Sequence, residues 1–238
     1  MNMTDEIRIM TSGAFTAAYL TLIPRLEPLT GKKLVTAATS IGTGETSIPN
    51  RLRRHESVDV VIVADAVLLG FIQDGLIVAD SYTPLARSAI GMAVRKGAPK
   101  PDIGTVDSLT STLLQAHSIA YSASVSGEYL TNELLPRLGI ADRVLPNCRR
   151  IEGGERVGAV IARGEAEIGF QQISELLPIA GIDYVGPLPA EVQRVTVFSA
   201  GVAVGAKSPE AARALIRFFV SPEGVKAMIK FGLEPMAP

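Results

Sequence analysis

Residues 118–130, SIAYSASVSGEYL, place four serines and two tyrosines in thirteen positions with no cationic side chain among them. Hydroxyls so concentrated serve a turn, a nucleophile, or a cradle that binds an anion without a formal charge. The stretch begins as a β-type run and passes into SGEYLTNELLPRLG, a helix start. Amides in a helix's first turn lack intrahelical partners and carry the positive end of its dipole. Serines there cap the helix or, with those amides, hold an anion. Ser124, Ser126 and Gly127 are the candidates in this stretch. Two other loops share its composition: TSGAF, with Ser12 and Gly13, and TSIGTGE, with Ser40 and Thr43. Glycine in each lets backbone approach a ligand closely. TSIGTGE is not a nucleotide P-loop, because no lysine follows its second glycine.

Other kinds of chemistry lack their residues. No G-x-S-x-G nucleophile elbow occurs. His55 stands in a basic helix end and His117 just before a strand, and no His/Cys/Asp cluster has metal-ligand spacing. The expectation is therefore no metal and no cofactor. Cys148 is the only cysteine, which excludes an intrachain disulfide, and its neighbours Arg149 and Arg150 have the sign that lowers a thiol's pKa.

A net charge of −1 provides no field to recruit nucleic acid or an anionic membrane. The basic cluster RLRRH (51–55) reads as the solvated end of a helix. The richest apolar run, VVIVADAVLLGFI, is interrupted by Asp65, so no membrane span is expected. The opening MNMTDEIRIM lacks an apolar signal core. The expected compartment for the chain as given is the cytoplasm, or the periplasm if a leader has been removed. At 238 residues and 47% hydrophobic content, the chain can build two small lobes with real cores.

Those lobes must position the loops. EIRIM reads as a strand, followed by a helix over 16–29, and TGKKLVTAATS gives a turn and a second strand. GETSIPNRLRR opens a helix with Ser47 as its cap and Pro49 in its first turn. SVDVVIVAD is a continuous β-branched run, as in a buried parallel strand, and a helix over 66–73 follows. The β-α-β-α-β order predicts a parallel sheet with its binding loops at the strands' C-terminal ends. SAIGMAVRKG resumes the pattern as a strand, before a helix near VDSLTSTLLQA and the strand HSIAYSAS. RVGAVIARGEAEIGFQQISEL reads as helix, turn, strand and loop, and VQRVTVFSAGVAVGAKS as a further strand. Two helices end the chain, each opened by Ser-Pro-Glu.

The motifs IRIMTSGAF, TGKKLVTAATSIGTG, SVDVVIVAD, LARSAIGMAVRKG, ARGEAEIGF and SPEGVKAMIKFGLEP, in this order, resemble the type II periplasmic (extracellular) solute-binding protein superfamily, in particular its molybdate-binding-protein-like group. The resemblance implies an α/β fold of two lobes with a ligand cleft between them. Lobe one would span 1–83, lobe two 84–192, and the chain would return to lobe one over 193–238. The crossings would fall near Tyr82 to Ala86 and Glu191 to Val195. Carried over by position, the group's ligand contacts fall on Ser12, on Ser40 or Thr43, near Ser124 to Ser126, and on Val157. Its tyrosine after the GEADAG-like segment has no match here, where Gln171 and Gln172 stand instead. Two glutamines offer both donors and acceptors, which suit a carboxylate or an amide-bearing solute and count against molybdate itself.

Two functions follow from the resemblance. The first is binding of a small oxyanion or organic acid, as in the substrate-binding proteins of ABC transporters, with Arg87 and Ser88 adding a charge-assisted contact beside the crossing. The second rests on SIAYSASVSGEYL and GFQQISELLP, which also resemble aconitate-isomerase-like members. That reaction is an allylic proton shift on a tricarboxylate, with Glu128 or Asp65 as base and Arg87 as a clamp. A third class, an effector-binding regulatory module, would be preceded by a helix-turn-helix that the sequence does not contain. The implied partner is a small anionic ligand, with an ABC-transporter permease only if the chain is exported. No nucleic acid and no membrane insertion are expected, and the protein is read as a monomer.

Overall fold

The structure is a computed structural model that describes residues 6–38 and 44–236. The chain divides into two compact units, one made of Met1–Ser88 with Thr196–Pro238 and the other of Ala89–Val195. The first unit opens with β1 (Glu6–Thr11), α1 (Gly13–Thr30), β2 (Lys33–Ala38), α2 (Ile48–Arg53), β3 (Val60–Ala64), α3 (Asp65–Gln73) and β4 (Thr83–Ser88). The second contains β5 (Ile90–Arg95), α4 (Val106–Gln115), β6 (Ile119–Ser122) and α5 (Val125–Tyr129). After a π-helical turn come α6 (Leu135–Arg137), α7 (Ala141–Val144), β7 (Cys148–Ile151), α8 (Val157–Ala162), β8 (Ile168–Gln172), α9 (Ile173–Leu176) and β9 (Ile182–Pro187). The chain then returns with β10 (Thr196–Val202), α10 (Pro209–Phe219), α11 (Pro222–Lys230) and β11 (Glu234–Pro235).

The first unit is a six-stranded sheet in the order β11-β4-β10-β3-β1-β2. β2, β1 and β3 pair in parallel, and β10 pairs antiparallel with both β3 and β4. The three strands of the β-α-β-α-β run are parallel as expected, and the departure is the antiparallel β10 inserted beside β3. Helical crossovers force parallel pairing among the early strands, whereas β10 enters from the other unit without one. All five residues of β3 are buried, as its β-branched run predicts for a strand covered on both faces. The core includes Ile7, Ile9, Tyr19, Leu26 and Leu215, and the Phe15 and Phe219 rings meet edge to face at 5.2 Å. The buried Asp59 carboxylate accepts from the backbone amides of Arg8, Lys207 and Ser208 at 2.8, 2.8 and 3.0 Å. These bonds tie the start of α10 to the sheet and give the buried carboxylate three backbone donors.

The second unit is a five-stranded sheet ordered β7-β6-β8-β5-β9, with β7, β6 and β8 parallel and β5 antiparallel to β8 and β9. Ile90, Met92, Leu109, Leu130, Leu134 and Phe170 form its main core. The chain changes unit after Ser88 and Val195, later than the expected boundaries at 83/84 and 192/193. The reason is β4, whose ladders with β10 and β11 hold it in the first unit.

Local readings divide. α10 and α11 start on the prolines of the two Ser-Pro-Glu motifs, and Ser221 Oγ accepts from the Gly224 amide at 3.3 Å. Ser47 precedes α2 but makes no side-chain cap, and its hydroxyl is buried without a partner among the described residues. Arg51 is not solvated, because Glu56 and the Ala37 carbonyl engage its guanidinium; Arg53, Arg54 and His55 are exposed. The segment read as a loop after β8 is the helix α9. Burial pushes the Cys148 thiol up to about 11, opposite to the direction that Arg149 and Arg150 suggest in the sequence.

Candidate functional site

β6 ends at Ser122, and the chain turns at once into α5. Ser122 Oγ lies 2.7 Å from Ser124 Oγ and 3.0 Å from Ser126 Oγ, while Ser124 and Ser126 are 3.4 Å apart. The three hydroxyls form a closed triangle. Each hydroxyl carries one donor and two acceptor positions, so the triangle satisfies itself when empty. An anion can turn those donors outward and exchange neutral bonds for stronger charge-assisted ones. Gly127 sets this geometry. A Cβ there would lie 1.8 Å from the Ser122 carbonyl oxygen, so only glycine lets α5 close on the end of β6.

β8 runs parallel to β6 with Tyr121 opposite Phe170, so the next residues, Ser122 and Gln171, emerge side by side at one sheet edge. Gln171 is 3% exposed and its amide is held at both ends. Its Oε1 accepts from the Val157 amide at 3.2 Å, and its Nε2 donates to Glu175 Oε2 at 2.7 Å. Burial raises the Glu175 carboxyl to about 7, against the smaller opposing pull of Arg156 and the bond from Gln171. Gln172 is also buried and engaged.

In the first unit, Ser12 directly follows β1 and stands at the N-cap of the eighteen-residue α1, with Gly13 as its first residue. Its amide donates to the Ile62 carbonyl at 2.7 Å. Its hydroxyl makes no cap bond and is buried with no hydrogen-bond partner among the described residues. A buried orphan hydroxyl is costly, and at a long helix's N-terminus it suits an incoming anion. Asp65 directly follows β3, the parallel neighbour of β1, so both residues stand at the same sheet edge. Asp65 Oδ1 accepts from Tyr82 Oη at 2.8 Å and from Ser199 Oγ at 2.6 Å. The Asp65 carboxylate in turn raises the Tyr82 phenol above its ordinary range.

Other candidates are placed differently. Glu128 lies on the exposed side of α5, where Arg150 meets it at 3.2 Å and Asn132 donates to it at 2.8 Å. Its carboxylate is held by these partners rather than by the serines. Arg87 is exposed on β4, in register with Val197 and Glu234, and Ser88 is buried and engaged. Ser40 and Thr43 lie outside the described residues. No group of three or more His, Cys, Asp or Glu among the described residues could hold a metal ion.

The sequence reading left out Ser122, Glu175, Tyr82 and Ser199. Ser122 was within the serine-rich stretch, and Glu175 stands four residues after Gln171, but the signal for Glu175 was hidden in a segment read as a loop.

An aconitate isomerase from Pseudomonas sp is 42% identical to this chain over 231 residues, covering 97% of this chain and 88% of that protein. The periplasmic molybdate-binding protein of Azotobacter vinelandii superposes with a TM-score of 0.75 at 16% identity, covering 98% of this chain and 99% of its own. The A. tumefaciens R10 periplasmic binding protein AgtB, solved with agropinic acid, gives 0.72 at 15% identity, covering 98% of this chain and 84% of its own. These likenesses establish the α/β fold of the periplasmic binding proteins. No helix among the described residues is long and apolar enough to cross a membrane. Residues 7–234 match the family model described as bacterial extracellular solute-binding protein, and the chain belongs to that family.

Proposed function

We propose that this protein binds a small polycarboxylate of the aconitate class and interconverts its geometric isomers. The observation that carries the binding reading is the serine triangle at the end of β6, three neutral hydroxyl donors that an anion can recruit. Ser122, Ser124, Ser126 and Gln171 are the contacts assigned in the second unit, and Ser12 with its orphan hydroxyl is assigned in the first. After its bond to Glu175, the Gln171 amide nitrogen keeps one hydrogen that can donate to a ligand carboxylate.

Turnover is favoured by one specific finding, the 42% identity to an aconitate isomerase over nearly the whole chain. A base removes a proton from the methylene carbon, and that electron pair forms the new double bond. The old double bond's pair then takes a proton at the former vinyl carbon, so atoms and charge balance with no co-reactant. Charge develops on carboxylate oxygens in between, where pre-aimed donors stabilise it best. Asp65 is assigned as the base in preference to Glu128. Tyr82 and Ser199 fix one of its oxygens, whereas Arg150 and Asn132 engage the Glu128 carboxylate. A protein that only delivers its ligand needs a permease; an isomerase does not.

Calorimetry with tricarballylate, a saturated tricarboxylate that cannot isomerise, tests the binding reading. Ser126→Ala should weaken it by about 1.5–3 kcal/mol, the worth of a hydrogen bond to a charged group. Equal affinity of wild type and variant would remove the triangle from the site, and preference for molybdate would reject the polycarboxylate assignment.

A further inference from the structure

We propose that Glu175 is a positioning residue for Gln171 and takes up a proton when an anion binds beside the serine triangle. The inference rests on the binding reading above and adds its proton linkage. The geometry is a short buried relay. The Val157 amide donates to Gln171 Oε1, and Gln171 Nε2 donates to Glu175 Oε2. Val157, Gln171 and Glu175 are all buried, so solvent does not complete these bonds. An ionised Glu175 accepts only, which forces the amide nitrogen of Gln171 toward it and the amide oxygen toward Val157. Gln171 stands beside Ser122 at the sheet edge. Glu175 therefore holds a negative charge one side chain away from the place where the ligand's charge would arrive.

The surroundings leave that charge weakly compensated. α9 packs on α8, β5, β8 and β9. α8 contains no ionisable residue, and Arg156, immediately before it, attracts the carboxylate less strongly than burial opposes it. β8 has no ionisable residue. The one such residue of β5, Arg95, ends its strand beside Gly164. On β9, Asp183 accepts from the Gly97 amide at 2.8 Å. Tyr184 lies over Gly91, with its phenol pushed up to about 12 by burial, and stays neutral. Protonation is therefore the remaining way to remove the repulsion. One strand spacing separates Ser122 from Gln171, and the Gln171 side chain spans the rest of the way to Glu175; at a separation of about 10 Å and an effective dielectric near 20, one pair of like charges is worth roughly tenfold in affinity.

The test is calorimetry of tricarballylate binding to the full chain at pH 7.5, in two buffers of different ionisation enthalpy, for wild type and Glu175→Gln. The expected result is fractional proton uptake by wild type and none by the variant. Wild-type affinity should also fall roughly fivefold from pH 6 to pH 8, while that of Glu175→Gln stays flat after the ligand's own ionisation, common to both proteins, is subtracted. In the free protein, the Val157 amide resonance should titrate near pH 7 in wild type and not in the variant. Binding without proton uptake, or uptake that survives Glu175→Gln, overturns this inference and leaves the binding reading intact. No binding by either protein overturns the binding reading and the linkage together.

Discussion

Glu175→Gln should raise stability at neutral and alkaline pH while leaving acid stability almost unchanged. Glu175 is 8% exposed, and its carboxyl titrates at about 7 in the folded protein against an ordinary 4.5. Between those values the folded chain holds a proton that the unfolded chain has lost, so stability falls as pH rises. The loss begins near pH 4.5 and is complete once pH has passed 7. At 1.36 kcal/mol per pH unit, the interval corresponds to about 3 kcal/mol. Glutamine has nearly the shape of the protonated acid and does not titrate, so the variant escapes this loss. Its Oε1 can still accept from Gln171. Urea denaturation of both proteins at pH 4.5, 6, 7 and 8, followed by far-UV circular dichroism, measures the effect. The wild-type midpoint should drop relative to the variant through this window and then run parallel to it. Parallel midpoints from pH 4.5 to 8 would refute the reasoning, because they would mean that Glu175 ionises as easily folded as unfolded.

Further outcomes follow from other sites. Gly127→Ala places a methyl 1.8 Å from the Ser122 carbonyl oxygen, so the chain must separate α5 from β6; denaturation should show a loss of about 3 kcal/mol, and tricarballylate affinity should fall with it. Cys148, with its thiol near 11 rather than 9.0, should react with iodoacetamide at pH 7 about a hundredfold more slowly than an ordinary thiol; labelling at the free-cysteine rate would contradict its burial. Arg87→Ala should weaken a tricarboxylate by about 1.5–3 kcal/mol if the exposed guanidinium reaches the ligand. Unchanged affinity would leave Arg87 as a surface residue.

Where local chemistry decides structure, the sequence was readable. The run VVIVA could only be a strand buried on both faces, and Ser-Pro-Glu could only open a helix. Pairing decided by distant chain was not readable. Nothing in TVFSAGV states that its neighbours will be β3 and β4, since that follows from where the chain returns. The same division holds at the site. Ser124 and Ser126 were visible as a cluster, but the close approach that makes Gly127 necessary was not, because it depends on how α5 meets the end of β6. Glu128 was chosen for its nearness in sequence, but residues two apart on a helix point to different faces; Ser126 is buried and Glu128 exposed. Glu175 was invisible for the opposite reason. Its four-residue segment has no helical period long enough to detect, and its burial comes from strands that are remote in sequence.

Turnover of aconitate in deuterated water is the most direct test of the central claim. Incubating the protein with one geometric isomer should yield the other, carrying deuterium at the carbon that gains the proton. Asp65→Asn should suppress this conversion by a larger factor than it weakens tricarballylate binding, because it removes the base and keeps the shape. Tight binding with no conversion would contradict the isomerase assignment and leave a solute-binding protein. Conversion undiminished in Asp65→Asn would keep the enzyme and reject Asp65 as its base.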